Sequence, residues 1–334
     1  MPVFSRELGI DLGTMNTVIA EGNQILLQEP TVVAIVVSEQ KMVETGQAAR
    51  DMYGRVSDSI EVIRPLQHGV IARFDVTENL LKRLVRHVAG PMQIFPPKIM
   101  LTVPYGVTSV ESRAVHEAGL GTTSSVFMIS QLLAAALGID LPIGTPSGNM
   151  ILSLGGGTIQ AGVLAMNDTV RAETSRTGGL RMDEAIIGYI RKKYGIIIGQ
   201  PTAEQLKIKI GAAVPQDQQL TMEVQGQDQV SGLPRPVTLT TDDLVDALQD
   251  PLNEVVNTAR RVLERTPPEL ISDIIDRGVA LCGGGALLRG IDKYLTKALG
   301  IPAYQVDNPV TCTAEGAARA LAMRDVLRRS LIPT

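Results

Sequence analysis

Apolar runs at 151–154 and 159–165 flank the turn Gly155-Gly156-Gly157-Thr158 near the middle of the chain, a spacing that predicts two buried strands joined by a tight turn. The stretch Gly9-Ile10-Asp11-Leu12-Gly13-Thr14-Met15-Asn16-Thr17-Val18 repeats the design. Laying Asp11-Leu12-Gly13 over Ser153-Leu154-Gly155 brings the two turns into register. A third glycine cluster, 283–285, ends the apolar run 279–282 and opens a helix. Elsewhere the period lengthens. Leu80, Leu81, Leu84, Val85 and Val88 share a helical face with basic residues opposite, 181–194 reads as a helix closed by Gly195, and Leu252, Val255, Val256, Ala259, Val262 and Leu263 follow a break at Pro251. A strand at 99–103 stops at Pro104, Thr108-Ser109-Val110-Glu111 is a capping box for a helix running to Leu120, and 130–138 is a short Leu-Ala helix that Ser130 would cap. Thr202-Ala203-Glu204-Gln205 reads as another capping box and sets Glu204 and Lys207 on one helical face. Polar, weakly patterned 216–229 is expected as a surface loop with a short strand, and Thr313 as the cap of a last helix ending in Arg324, Arg328 and Arg329. Strand-helix alternation in both halves predicts α/β layers with mixed sheets.

The turns carry candidate chemistry. Glycines expose backbone N–H groups with no Cβ in the way, and a nest of such donors binds anions, phosphate above all. Taken alone, Gly155-Gly156-Gly157 is equally an ordinary hairpin turn. Two hairpin turns and one strand-to-helix glycine turn suggest a nucleotide gripped between duplicated halves. Asp11, at the end of a buried strand beside phosphate-binding amides, suits magnesium held through waters; its plainer reading is a turn-forming Asp. For Glu204 and Lys207 the plainer reading is a surface ion pair.

Composition narrows the class. A chain of 334 residues with 44% hydrophobic and 20% charged residues is globular and long enough for two cores. A net charge of −4 argues against a nucleic-acid surface. Cys282 and Cys312, both in apolar context, read as buried inert thiols, and His68, His87 and His116 lack zinc-ligand spacing. With no basic, apolar leader and with 126–141 interrupted by Ser130, Gln131 and Asp140, the chain reads as cytoplasmic.

The order of the three glycine motifs resembles the actin, Hsp70 and sugar-kinase ATPase superfamily. Asp11 to Thr17, Glu29-Pro30-Thr31-Val32-Val33-Ala34, Ile63-Arg64-Pro65-Leu66, Gly69-Val70-Ile71-Ala72, Thr202-Ala203-Glu204, Arg265-Thr266-Pro267-Pro268-Glu269-Leu270 and Gly283 to Gly290 resemble, more closely, the bacterial actins of the MreB cell-shape family. The resemblance implies an actin-like ATPase fold of two duplicated α/β domains, 1–145 and 146–309, with insertions at 32–74 and 179–250 and with 310–334 packing back on the first. It implies ATP or ADP with Mg2+ in the cleft. Gly13, Thr14, Met15 and Asn16 would hold the phosphates from one side and Gly155, Gly156, Gly157 and Thr158 from the other. Glu204 and Lys207 would reach ribose and base, and Gly284, Gly285, Ala286 and Leu287 would let the adenine approach the backbone.

Two positions depart from the family pattern. The second phosphate loop starts with Ser153 in place of an Asp, and Ser130-Gln131-Leu132 stands where the family has Glu-Glu-Pro. A carboxylate near the metal and the acid that positions the attacking water are thereby lost, so hydrolysis is expected to be slow, with Asp11 and Gln131 the remaining catalytic candidates. The resemblance also implies homopolymeric filaments of paired protofilaments, peripheral attachment to inner-membrane lipid through Met92, Ile94 and Phe95 or through Val3 and Phe4, and cell-wall elongation proteins as partners. The loop 90–97 reads equally as buried packing. The competing functions are a degenerate paralogue with nucleotide-independent filaments and a small-molecule kinase or chaperone-type ATPase on the same fold.

Overall fold

The first two glycine turns each sit at the tip of a hairpin. In a computed structural model, which describes residues 5–90 and 96–333, strands Glu7–Leu12 and Asn16–Glu21 pair antiparallel with Asp11 opposite Val18. Strands Asn149–Leu154 and Ile159–Ala165 do the same with Ser153 opposite Gln160. Both turns close on the same bond: Gly13 N–H donates to the Asn16 carbonyl at 3.1 Å, and Gly155 N–H to the Thr158 carbonyl at 2.9 Å.

The hairpins nucleate two sheets of one topology. The first runs Ser125–Ser130, Lys98–Val103, Glu7–Leu12, Asn16–Glu21, Gln24–Pro30; the second runs Ala303–Gln305, Val279–Cys282, Asn149–Leu154, Ile159–Ala165, Asp168–Ser175. In each, three antiparallel strands continue into two parallel ones. The central strands are buried on both faces, which is why they read as continuous apolar runs rather than alternating ones. Helix Cys312–Ala322 lies against the first sheet and against helix Gln131–Gly138. A Cβ on Gly316 would fall 1.7 Å from the Ala134 carbonyl oxygen, and one on Gly138 1.9 Å from that of Cys312, so these helices touch backbone to backbone.

Residues 32–74 add a sheet of Lys41–Thr45, Val33–Val36 and Ile60–Ile63 with helix Gly46–Asp51, then the small hairpin Leu66–Gln67 and Val70–Ile71. Residues 179–250 add helices Gly179–Tyr194 and Gln200–Ile210 and a sheet of Ile196–Ile197, Thr221–Asp228 and Pro234–Thr240.

The Thr108–Glu111 capping box is present. Thr202 does not cap its helix: Gln200–Ile210 starts earlier, on Gly199, because Pro201 suits a first helical turn that needs no N–H from it. Thr313 is likewise already inside Cys312–Ala322, which is led by Thr311 and ends before Arg324. Pro251 sits in the first turn of Gln249–Leu263, and the helical run is interrupted just before it, at Leu248, where Thr241–Ala247 ends. The polar 216–229 contains the strand Thr221–Asp228, hydrogen-bonded along its length to Pro234–Thr240; its solvent-facing side masked the period. Cys282 and Cys312, distant in sequence, meet in the core. The Cys282 thiol donates a hydrogen bond to Cys312, and this together with burial holds it well above its ordinary value, which leaves it unreactive.

Candidate functional site

A cleft of about 440 Å³ opens between the two halves, and both glycine turns line it. The turns press on each other. A Cβ on Gly156 would fall 2.0 Å from Met15 Cγ, and one on Gly157 2.3 Å from Thr14 Oγ1, so the second loop tolerates no side chain there. Of the residues singled out above, Gly13, Thr14, Met15, Asn16, Gly155, Gly156, Gly157, Thr158, Glu204, Lys207, Gly284, Gly285 and Leu287 face this space together with Asp11, Gln131 and Ser153. Ala286 does not. Its side chain is wholly buried in the second core, because the glycine cluster winds into the short 3-10 turn Gly284–Leu287. Exposed Ile208 and Leu287 give the cleft an apolar stretch suited to a flat ring.

Asp11 lies partly buried on the floor. Its Oδ1 accepts from Thr102 Oγ1 at 2.6 Å and from Gln131 Nε2 at 3.0 Å. Gln131 Oε1 accepts in turn from Gln160 Nε2 at 2.6 Å, and Gln160 Oε1 from the Tyr105 N–H at 2.9 Å. This chain of bonds ties the first half to the second. Burial raises the Asp11 carboxyl above the usual carboxylate range, against the lowering effect of Thr102 and Gln131. Among the described residues no cationic side chain lies within ion-pair distance of it. One unpaired carboxylate with a free oxygen, facing the two glycine turns across the cleft, fits a magnesium ion that keeps most of its waters. Sequence reasoning missed Thr102 and Gln160. Gln160 carried a signal, as the lone polar side chain in Ile159–Ala165.

Ser130 occupies the N-cap position of Gln131–Gly138 but makes no capping bond, and its hydroxyl is buried without a partner. It is still the last paired residue of Ser125–Ser130, opposite Val103, so the sheet sets its side chain. It does not line the cleft, whereas Gln131 does. The surface pair of Glu204 with Lys207 does not form either. Lys207 Nζ donates to buried Asp183 Oδ1 at 2.6 Å and to the Gly179 carbonyl at 2.9 Å. Glu204 Oε2 accepts from Arg50 Nη2 at 2.6 Å. Met92, Ile94, Phe95, Val3 and Phe4 lie outside the described residues. Among the described residues no helix is long and apolar enough to cross a membrane.

Duplicated sheets with facing glycine turns are the arrangement that the glycine motifs led one to expect, and sequence comparison decides the family. The family model described as MreB/Mbl protein matches residues 5–329. The chain belongs to the MreB/Mbl family. It is 43% identical over 331 residues to the cell shape-determining protein MreB of Escherichia coli (strain K12), covering 97% of this chain and 95% of that one. It is 40% identical over 327 residues to the cell shape-determining protein Mbl of Bacillus subtilis (strain 168), covering 97% and 98%. The crystal structure of MreB 5 of Spiroplasma citri bound to AMPPNP superposes with a TM-score of 0.91 at 30% identity, covering 98% of this chain and 99% of that one. The MamK double helical filament, at 19% identity and a TM-score of 0.80 over 94% and 98% of the two chains, shares the fold. The MreB/Mbl architecture is thus the actin-like one expected from the glycine motifs, and cell-shape determination is the family's function.

Proposed function

We propose that this protein is a filament-forming bacterial actin that binds ATP or ADP with Mg2+ in the cleft, hydrolyses ATP slowly, and works at the inner membrane to organise cell shape and peripheral wall synthesis. The observation that carries the proposal is the meeting of two glycine turns above an unpaired, partly buried Asp11. Solved relatives bound to AMPPNP and to ADP support it. Backbone N–H groups of the two turns hold the phosphates. Bound magnesium would neutralise phosphate charge, with Asp11 and, across from it, the Ser153 hydroxyl facing its waters. Gln131 has its amide nitrogen on Asp11 and presents its carbonyl oxygen, shared with Gln160, to orient a water.

The test is sedimentation at micromolar protein with ATP, ADP or AMPPNP and magnesium. Polymer in the nucleotide-bound states is expected; a protein that stays monomeric under all conditions ends the proposal. Equal polymer without nucleotide selects the degenerate-paralogue reading, which the loss of acids at Ser130 and Ser153 favours.

Membrane attachment through Ile94 and Phe95 has its own expected result. Burying each such side chain contributes about 1.5–3 kcal/mol, weak for one subunit and multiplied along a filament. Ile94→Ser with Phe95→Ser should abolish co-sedimentation of filaments with anionic liposomes and leave the filaments intact. Undiminished lipid binding would move the anchor to Val3 and Phe4.

A further inference from the structure

We infer that Arg50 is a positioning residue for the nucleotide sugar: it holds Glu204 across the mouth of the cleft, so that one carboxylate both closes the mouth and receives the sugar hydroxyls. This rests on the nucleotide reading of the cleft given above.

Arg50 lies in the last turn of the short helix Gly46–Asp51 in the first insertion, and Glu204 lies on Gln200–Ile210 in the second. Their contact spans 154 positions of chain at 2.6 Å. Among the described residues it is the ion pair that joins 32–74 to 179–250. The pair is sheltered, with side chains 32% and 10% exposed, so its Coulomb attraction is screened less than that of a surface pair.

Three features make Arg50 the group that orients Glu204. The neighbouring cation, Lys207, is held by Asp183. Arg64, whose charge also acts on Glu204, makes no ion pair with it among the described residues, and its Nη1 is buried without a partner. Arg50 engages Oε2 alone, and no described side-chain bond occupies Oε1, which belongs to a residue lining the cleft. A carboxylate anchored through one oxygen still has lone pairs on the other to accept hydroxyl donors. Removing Arg50 leaves Glu204 nearly buried, unoriented and short of a partner.

The coupling is measurable because the hydroxyls can be removed from the ligand. Dissociation constants for ATP and for 2′,3′-dideoxy-ATP, both with magnesium, are measured by calorimetry on the full chain at concentrations where it remains monomeric, for wild type, Arg50→Ala and Arg50→Lys. We expect Arg50→Ala to weaken ATP by about tenfold, which is about 1.4 kcal/mol, and dideoxy-ATP by less than about twofold. Arg50→Lys, which keeps the charge at the mouth, should recover most of the loss. Equal weakening for both nucleotides would show Arg50 acting without Glu204, and no weakening of ATP would show it inert; either result overturns the inference while leaving nucleotide binding in place. Wild type that fails to bind ATP at all overturns the nucleotide reading and the positioning role with it.

Discussion

ATP turnover rises by about 10²-fold when Gln131→Glu and Ser153→Asp are combined, measured as phosphate release at equal ATP occupancy, because a positioned base contributes on that scale. The structure selects position 131. Gln131 faces the cleft and already touches Asp11, whereas the Ser130 hydroxyl is buried with no partner and does not line the cleft. A glutamate at 131 keeps the hydrogen bond from Gln160 with one oxygen and turns the other, no longer a donor to Asp11, toward the attacking water. Repulsion from Asp11 raises its pKa toward the range useful for a base. Aspartate at 153 adds a second carboxylate opposite Asp11 for the metal's waters. Ser130→Glu alone should give no gain in turnover and a lower Tm, since it places a charge where a hydroxyl is already unsatisfied. Wild-type turnover equal to that of the double variant would show that the amide of Gln131 suffices.

Asp11→Asn produces the second large effect, and it has opposite signs in two assays. Affinity for the magnesium nucleotide should fall by about 100-fold, the upper end of what losing a partner of a metal's ligands costs. The nucleotide-free protein should melt higher. Asparagine keeps an oxygen to accept from Thr102 and Gln131 but carries no charge to desolvate. The pH dependence follows from the raised carboxyl of Asp11. The folded protein binds this proton more tightly than the unfolded chain, so ionising Asp11 costs stability as pH rises from its unfolded value through its raised folded value. The melting advantage of Asp11→Asn is therefore full above that window and shrinks as pH falls through it. A variant that melts lower than wild type at pH 7, or binds magnesium nucleotide as well, would remove Asp11 from the metal's neighbourhood.

Much of the fold and part of the site were legible in the sequence. The glycine turns, their register, the buried strands and the Thr108–Glu111 cap depend on neighbours a few residues apart, so composition and period report them directly. Duplication was legible for the same reason, since two copies of one local pattern imply one topology twice. The errors at Thr202 and Thr313 are local as well: a capping signal competes with a proline or an earlier start, and the backbone takes the better one.

The partners of the site residues came only from the tertiary structure. Gln160 on Gln131, Lys207 on Asp183 and Arg50 on Glu204 join residues 29, 24 and 154 positions apart. That Ser130 turns away while Gln131 faces the cleft is decided by the pairing of Ser130 with Val103. Periodicity assigns a residue to an element and a face, but an ion pair or a hydrogen bond between elements far apart in the chain is set by how those elements pack, and one-dimensional spacing contains no term for that distance.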